Sequence, residues 1–392
     1  MRILRAIFDF FASYGLACVI FLFLFLVVFL GTLEQAEHGL YDVQQRYFES
    51  FVVVHYFLGV LPVPLPGVYL LLILLAISTF CGGIIRIVRK KSAAGVFIAH
   101  AGILILFAGG FIKYEFSEEG FMRLYEGEQS NEFESYHEWE IAIWDADQRP
   151  VREYLIPQES FEDARGGQLV TFTHDALPFD LELRGYMRNA RPQPVDDHTP
   201  GAMPAVDGFY LRSMPRAREN EQNMPGLFAT VRTSASNNEH PALLSGFALA
   251  PWVVEADGRT WAIDLRRKRR LLPFTIALDE FTHEFHPGTQ MPRVFLSDVT
   301  KYQDGVAQSI KITMNQPLRH EGYTFYQASW GPQDAPPGAP LFSTFAVVRD
   351  PAESIPMYAS LITTAGMLLH FSLMLGNYLR SESRTSSKGA RS

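Results

Sequence analysis

The chain has 392 residues, of which 48% are hydrophobic, and a formal net charge of -8. This length accommodates a membrane part together with a soluble part. The negative charge gives no reason to expect a nucleic-acid-binding protein. Cys18 and Cys81 are the only cysteines, and both lie in apolar runs. Because there is no CxxC and no CxxCH motif, the sequence argues against a thiol–disulfide oxidoreductase and against a c-type cytochrome.

Four apolar segments are long enough to cross a bilayer, which takes about 20 helical residues. We predict membrane spans over residues 14–33, 68–88, 94–112 and 357–379. A signal peptide is the alternative interpretation of the first segment. We favour a membrane anchor, because the apolar core exceeds the usual length of about 7–15 residues and no clear small-residue cleavage site follows it.

Three groups of basic residues flank the predicted spans, and all three groups fall on one side. They are Arg2 and Arg5 before the first span, Arg86, Arg89, Lys90 and Lys91 between the second and third, and Arg380, Arg384, Lys388 and Arg391 after the fourth. In the loop over residues 34–67, Arg46 is the only lysine or arginine. Because basic flanks of spans stay in the cytoplasm, we predict a multi-pass inner-membrane protein with both termini cytoplasmic. Its parts are residues 1–113 with three spans, an extracytoplasmic domain over 114–356, and residues 357–392 with the last span.

The extracytoplasmic block is predicted to be rich in antiparallel β-strands, arranged as a sandwich or a barrel. Short alternating runs such as Glu140–Trp144 and Phe274–Leu278 are typical of strands. Asp257-Gly258 lies between two such runs and predicts a hairpin turn. The stretch from Arg191 to Gly208 is rich in proline and lacks periodicity, which predicts a loop.

This block contains no G-x-S-x-G, Walker A or H-E-x-x-H motif. His283 and His286, beside Asp279 and Glu284, suggest a metal half-site. We favour a solvated turn, because residues three apart on a strand do not share a face. The basic run from Arg266 to Arg270 suggests a contact with lipid headgroups or haem propionates, and a solvated face is again the interpretation that we favour.

Two histidines lie well inside predicted spans, His100 in the third and His370 in the fourth. Ionisable residues in spans are costly and usually functional. At about 1.5 Å per residue, His100 lies roughly 10 Å and His370 roughly 13 Å from the cytoplasmic end, so the two rings are predicted to share one level. Neutral imidazole is a common axial ligand of haem iron. A hydrogen bond between helices and a proton relay remain the alternatives.

Polar and small side chains surround both histidines at helical spacing. Small residues in the third span predict close helix packing, and a polar stripe in the fourth predicts a face turned toward protein or a cavity. The first stripe comprises Gly95, Ala99, Gly102 and Gly109, and the second comprises Thr363, Gly366, His370 and Asn377.

Four segments carry distinctive motifs. They are Gly31-Thr32-Leu33 at the end of the first span, His100-Ala101-Gly102 in the third, the run GFMRLYEGE over residues 120–128, and residues 281–331 with their N-x-P-L and G-Y-x-F-Y-Q-x-S patterns. These motifs resemble the ResB-like (CcsB-type) family of system II cytochrome c biogenesis. The order of three spans, external domain and last span is also similar. Residues 145–250 show the least similarity.

The resemblance implies a membrane subunit that handles haem and supports its covalent attachment to apocytochrome c. It implies a second membrane protein of ResC (CcsA) type with a tryptophan-rich haem-binding loop, since no such loop is present here. His100 matches a candidate haem-ligand position of the family. The role of His370 rests on the physical argument alone, and the two form a hypothetical bis-histidine site for transient haem b.

We assign no catalytic residue, since bond formation would belong to the complex. A haem b electron-transfer subunit and a cofactor-free membrane-anchored scaffold are the alternative functions. The G-Y-x-F-Y-Q-x-S pattern contains Tyr323, Phe325 and Tyr326. We interpret these residues as a core strand and its corner rather than as a surface that contacts haem or apocytochrome.

Overall fold

The computed structural model describes residues 2–57, 59–87, 93–196, 204–233, 239–289, 292–336 and 338–389. The chain divides into two compact units. The first comprises Met1–Ser117 and Arg349–Ser392, and the second comprises Glu118–Val348. Arg89, Lys90 and Lys91 of the predicted basic loop, and Arg391, lie outside the described residues.

The first unit is helical. Its helices are α1 (Arg2–Phe11), α2 (Tyr14–His38), α3 (Leu40–Val43), α4 (Val68–Ser78), α5 (Ala94–Phe116) and α7 (Ile355–Gly389), with π-helical segments at Gln44–Phe48 and Thr79–Ile85 and a hairpin of β1 (Val52–Phe57) and β2 (Leu61–Pro66). Four helices are long and apolar enough to span a membrane: Tyr14–His38, Val68–Ile85, Ala94–Phe116 and Ile355–Ser381. The four predicted spans are therefore confirmed as apolar helices, and they fit a membrane protein.

Close packing of α5 against α7 follows from the small-residue stripe. A side chain at Gly95 would collide with the backbone of His370, and one at Gly102 would collide with Thr363. A side chain at Gly366 would collide with the backbone of Ala99. Because glycine leaves room for backbone contact, the two helices lie side by side along most of their apolar length.

The second unit is an antiparallel β-region, as predicted. Its strands are β3 (Glu118–Tyr125), β4 (Gln129–Asp145), β5 (Glu153–Pro157), β6 (Leu169–Phe172), β7 (Phe179–Met187), β8 (Ala190–Pro194), β9 (Phe209–Ser213), β10 (Gly226–Thr233), β11 (Glu239–Ser245), β12 (Trp252–Ala256), β13 (Arg259–Phe285), β14 (Pro292–Gln303), β15 (Val306–Thr313), β16 (Leu318–His320), β17 (Tyr323–Gly331) and β18 (Phe342–Arg349), with one short helix, α6 (Gln158–Phe161).

Among the described residues, these strands enclose two large hydrophobic cores and a small cluster of Ala190, Leu211 and Phe228. A four-stranded sheet, β11-β10-β7-β6, and a ten-stranded sheet both contribute buried side chains to the first core, including Leu181 and Ile141. The second core is built from the ten-stranded sheet alone and includes Ile276 and Phe325. Eight strands of this sheet follow the order β15-β14-β13-β4-β3-β18-β17-β16, while β12 pairs with β13 and β5 pairs with β4. The first half is thus a sandwich, and in the second half the sheet curls around its own core.

Strand β13 connects the two cores. Its 27 residues contribute Ile263 and Leu265 to the first core and Phe274 and Ile276 to the second. Its pairing with β4 shifts register between Arg267 and Arg269 and again between Leu271 and Ile276. Irregularities of this kind bend a strand, and here they carry one strand past both cores.

The predicted hairpin at Asp257-Gly258 is confirmed. Strands β12 and β13 pair on either side of it, and both turn residues have positive φ, 53° and 69°, as a type I′ turn requires. The predicted loop from Arg191 to Gly208 is wrong at its start, because Ala190–Pro194 forms β8 and pairs with Phe209–Ser213. Proline is tolerated there because this two-stranded ribbon leaves N–H positions unpaired. Residues 197–203 of that stretch lie outside the described residues.

Candidate functional site

His100 lies in the first half of α5, and its tautomer follows from one hydrogen bond. Its Nδ1 is 2.7 Å from the carbonyl oxygen of Val96, one turn earlier. A carbonyl oxygen only accepts, so Nδ1 carries the hydrogen and donates it. The lone pair of the neutral ring is then on Nε2, which is the arrangement of metal-bound histidines oriented by a backbone carbonyl.

The half-buried His100 ring lines a cavity of about 320 Å³ in the helical unit. The cavity is enclosed by the start of the first span, the end of the second and the first half of the third. Its lining residues are Ala12, Ser13, Tyr14, Ala17, Phe21, Leu75, Ser78, Thr79, Gly82, Gly83, Arg86, Ile87, Val96, His100, Ile103 and Phe107. The volume lies at the lower end of the range for small-molecule sites, and the apolar lining with few polar groups is typical of them.

The π-helical segment Thr79–Ile85 forms one wall of the cavity. Gly83 is buried against the His100 ring, and any side chain there would collide with it. A Cβ at Gly82 would lie 3.3 Å from the carbonyl oxygen of Ala12. Short π-helical segments interrupt α-helices mostly at functional positions. The segment therefore brings the second span close to both the first span and His100.

Arg86 follows this segment and also lines the cavity. Its Nη1 donates to the carbonyl oxygen of Ala12 at 3.1 Å, and its guanidinium carbon is 5.8 Å from the centroid of the Tyr14 ring. Within the described part of the chain, no carboxylate forms an ion pair with Arg86. The cavity thus combines an imidazole nitrogen with a cation.

His370 lies elsewhere in the helical unit. Its backbone faces Gly95, its half-buried ring is 5.5 Å from that of Phe371, and it is not among the described residues that line the His100 cavity. The antiparallel register that pairs Gly95 with His370 also pairs Gly102 with Thr363. The backbone of His370 is therefore level with Gly95 and offset from the backbone of His100 by roughly 7.5 Å along the helix axis, while both side chains lean toward the start of their own helix. Its role as a ligand stays a prediction.

A second polar cluster, which the sequence reasoning missed, lies at the far end of the first span. Glu34 Oε1 accepts from Tyr47 at 2.8 Å and lies 3.1 Å from His55 Nδ1, and Arg46 pairs with Glu34 Oε2 at 3.0 Å. Burial and the Glu34 carboxylate raise the pKa of Tyr47. The signal in the sequence was a glutamate directly after an apolar run, with the only arginine of the following loop.

The basic run on β13 does not form the solvated face that we favoured, because cross-strand glutamates pair with it. Arg266 is 9% exposed and donates to Glu140 at 3.0 Å and to Glu153 at 2.9 Å. Lys268 and Arg270 both pair with Glu138. The hydrogen bond from Arg266 lowers the pKa of Glu153. These cations are neutralised within the β-unit, which leaves them little capacity for headgroups or propionates.

Arg267 is held differently, by backbone carbonyls and aromatic rings. It donates to the carbonyl of Tyr136 at 2.6 Å and to that of Glu221 at 2.5 Å. Its guanidinium lies 4.9 Å from the Trp139 ring. Burial lowers the pKa of Arg267. Arg267 therefore links the segment around Glu221 to the sheet.

His283 and His286 differ in their surroundings. His283 is in β13, where its ring stacks on Trp330 with 4.2 Å between centroids. His286 is exposed after the strand ends. In the described residues there is no group of three or more histidine, cysteine or carboxylate side chains placed to hold a metal. His283 therefore packs as an aromatic ring in the strand and not in a solvated turn.

The aromatic pattern on β17 is confirmed as a core strand. Tyr323 is 6% exposed and Phe325 is fully buried in the second core. Tyr326 points the other way and is 39% exposed. Alternation along the strand accounts for this difference.

Strand β17 lies within the part of the chain that is similar to a known protein family. Residues 243–338 match the model of the ResB-like family. The match confirms the family resemblance, and the family is linked to cytochrome c biogenesis. No curated protein matches the chain. The matched ResB-like segment begins within β11 and ends beyond β17, so it includes His283 and Phe325 and excludes the apolar helices with His100, Arg86 and His370.

Proposed function

We propose that this chain is the ResB-like subunit of a system II cytochrome c synthetase and haem export complex. In this proposal it holds haem b transiently in the His100 cavity, works with a membrane protein of ResC (CcsA) type, and supports attachment of haem to apocytochrome c. The observation that carries the proposal is a histidine with a free Nε2 in an apolar cavity of the membrane helices. The ResB-like match of residues 243–338 supports it independently.

The residues around the cavity suit a flat apolar ligand with one metal. Haem is the substrate here, and its iron accepts a nitrogen lone pair. Val96 orients the His100 ring through Nδ1, and Gly83 packs directly against the ring because it has no side chain. Phe21, Leu75 and Phe107 give the cavity apolar walls. Because the volume is at the lower end for such sites, we propose that part of the macrocycle extends toward the partner subunit.

The position of the cavity favours loading from the cytoplasm. It lies at the end of the spans marked by Arg2, Arg5 and Arg86, which the distribution of basic residues assigns to the cytoplasmic side. The β-unit is then extracytoplasmic in an inner-membrane protein, where apocytochrome is modified. We assign thioether bond formation to the complex as a whole and no catalytic residue to this chain.

His370 is the second proposed ligand of this chain. Its place outside the lining of the His100 cavity favours a separate or later binding position over a site in which both rings hold the same iron. A histidine from the partner is the alternative second ligand to His100. The two arrangements differ in whether the isolated chain binds haem in a six-coordinate, low-spin form.

The test is the absorption spectrum of the purified full-length chain, with and without its partner. We expect a low-spin haem spectrum that is strongest with the partner and is lost in His100→Ala. His286→Ala is the matched control, because this histidine is exposed in the β-unit and distant in sequence from the spans. His370→Ala tells whether the second ligand lies in this chain.

Three results would contradict the proposal. Haem retained by His100→Ala would exclude this ligand. If no preparation carries haem and cytochrome c maturation survives His100→Ala, the chain is a scaffold. Stable stoichiometric haem in the isolated chain, with no effect on cytochrome c maturation, would instead indicate an electron-transfer subunit.

A further inference from the structure

We propose that Arg86 binds a carboxylate of the cavity's ligand, which on the proposed function is a propionate group of haem. The arginine thereby fixes the direction in which the macrocycle enters, with the iron toward His100 and the acidic edge toward the cytoplasmic end. This inference rests on the proposed function and adds a positioning residue to it.

The spacing along the second span supports this arrangement. Gly83 is in contact with the His100 ring, and Arg86 is three residues further toward the basic end. Arg86 therefore lies less than one helical turn nearer the basic end than Gly83. Both His100 and Arg86 line the same cavity. A ligand that has a metal at its centre and acids on one edge matches a nitrogen donor placed deeper than a cation.

The bonding of Arg86 leaves most of its donors for a ligand. A guanidinium has five N–H donors, and the hydrogen bond to Ala12 uses one of them. Among the described residues no carboxylate pairs with it, whereas Arg266 and Arg270 each pair with two glutamates. Arg86 is exposed, and a carboxylate binds a guanidinium through two parallel hydrogen bonds.

The break between α1 and α2 holds the arginine at the rim. The helix ends at Phe11, and Ser13 caps α2 by accepting from the backbone N–H of Leu16 at 3.2 Å. The carbonyl of Ala12 is thereby left outside both helices and accepts from Arg86. The guanidinium carbon is also 5.8 Å from the centroid of the Tyr14 ring. These contacts orient Arg86 before any ligand binds, which reduces the entropy lost on binding.

The experiment compares haem with its dimethyl ester, in which both propionates are uncharged. Binding to the full-length chain in nanodiscs is followed by the Soret band, for wild type, Arg86→Gln and Arg86→Lys. We expect Arg86→Gln to weaken haem binding about 10- to 100-fold, the range of a hydrogen bond to a charged group. Wild type should prefer haem over the ester by a similar factor, and Arg86→Gln should not distinguish them. Arg86→Lys should recover part of the preference.

The control is Arg5→Gln, which removes a basic residue from the same end of the protein but not from the cavity lining. An equal loss of haem and ester binding in Arg86→Gln would show that the arginine only holds the spans together, and the inference would be wrong. Unchanged preference for haem would overturn it as well. Both results leave His100-dependent binding intact, whereas absence of haem from wild type, or its persistence in His100→Ala, would overturn the proposed function and this inference with it.

Discussion

Arg266→Met should be among the most destabilising single changes in the β-unit. The arginine is 9% exposed, and its partner Glu140 is 4% exposed. Removing one member of a buried ion pair leaves the other charge buried without compensation, which costs about 3–5 kcal/mol. Methionine keeps much of the side-chain volume, so the lost charge and not a cavity accounts for the effect. Glu153 also loses two hydrogen bonds.

The matched control is Arg269→Met, three residues further along the same strand. Arg269 pairs with Glu132, and the two side chains are 42% and 37% exposed. Exposed pairs of this kind contribute about 0–1 kcal/mol. The assay is guanidinium unfolding of the full-length chain in detergent, followed by tryptophan fluorescence, because Trp139 and Trp261 are buried in the first core.

A double change separates the charge effect from packing. Combining Arg266→Met with Glu140→Leu removes both buried charges of this pair, and replacing a buried pair by apolar residues is often neutral. We expect the double variant to recover most of the stability lost by Arg266→Met alone. Equal losses for Arg266→Met and Arg269→Met, or no recovery in the double variant, would refute this account of the network.

Three further predictions concern packing and protonation. Gly102→Leu should lower the melting temperature of the chain in detergent, since overpacking costs about 1–3 kcal/mol, whereas Gly110→Leu should not, because nothing lies within 4 Å of that position. Tyr47→Phe should cost about 1–3 kcal/mol in thermal unfolding by removing the buried hydrogen bond to Glu34, and an unchanged melting temperature would contradict this. The pKa of Glu153 is lower in the folded protein than its unfolded value of about 4.3. Glu153 therefore stabilises the fold above about pH 4.3, and this stability is lost as the pH falls through the folded pKa. The guanidinium midpoints at pH 7 and pH 3 should differ less in Arg266→Met than in wild type.

Local features of this fold were predictable from the sequence. The four apolar helices follow from length and composition alone, because a bilayer-length apolar run has few other stable forms. The turn at Asp257-Gly258 was predictable because few dipeptides readily adopt two consecutive positive φ angles, as these two residues do. The glycine stripe of the third span identified the face that packs on α7, since its spacing is set by the helical period.

The partners of charged and functional groups depended on distances that no local pattern encodes. Arg266 and Glu140 are 126 positions apart in sequence and meet only because β13 pairs with β4. The basic run from Arg266 to Arg270 was predicted to form a solvated face because its glutamate partners lie on other strands, far away in the sequence. In the same way, the sequence pointed to His100 as a candidate ligand but not to the cavity beside it. That cavity depends on the π-helical segment of another apolar helix and on Arg86.

The sequence by itself determined the helices, the strand character of the β-unit and the family motifs, because each depends on the chemistry of neighbouring residues. Tertiary structure alone decided that β13 passes two cores, that the basic strand is neutralised internally, and that the backbone of His370 is not level with that of His100. The physical reason is that register between helices and between strands is set by close packing over the whole contact. A shift of a few residues along either element changes every partner without altering the local pattern.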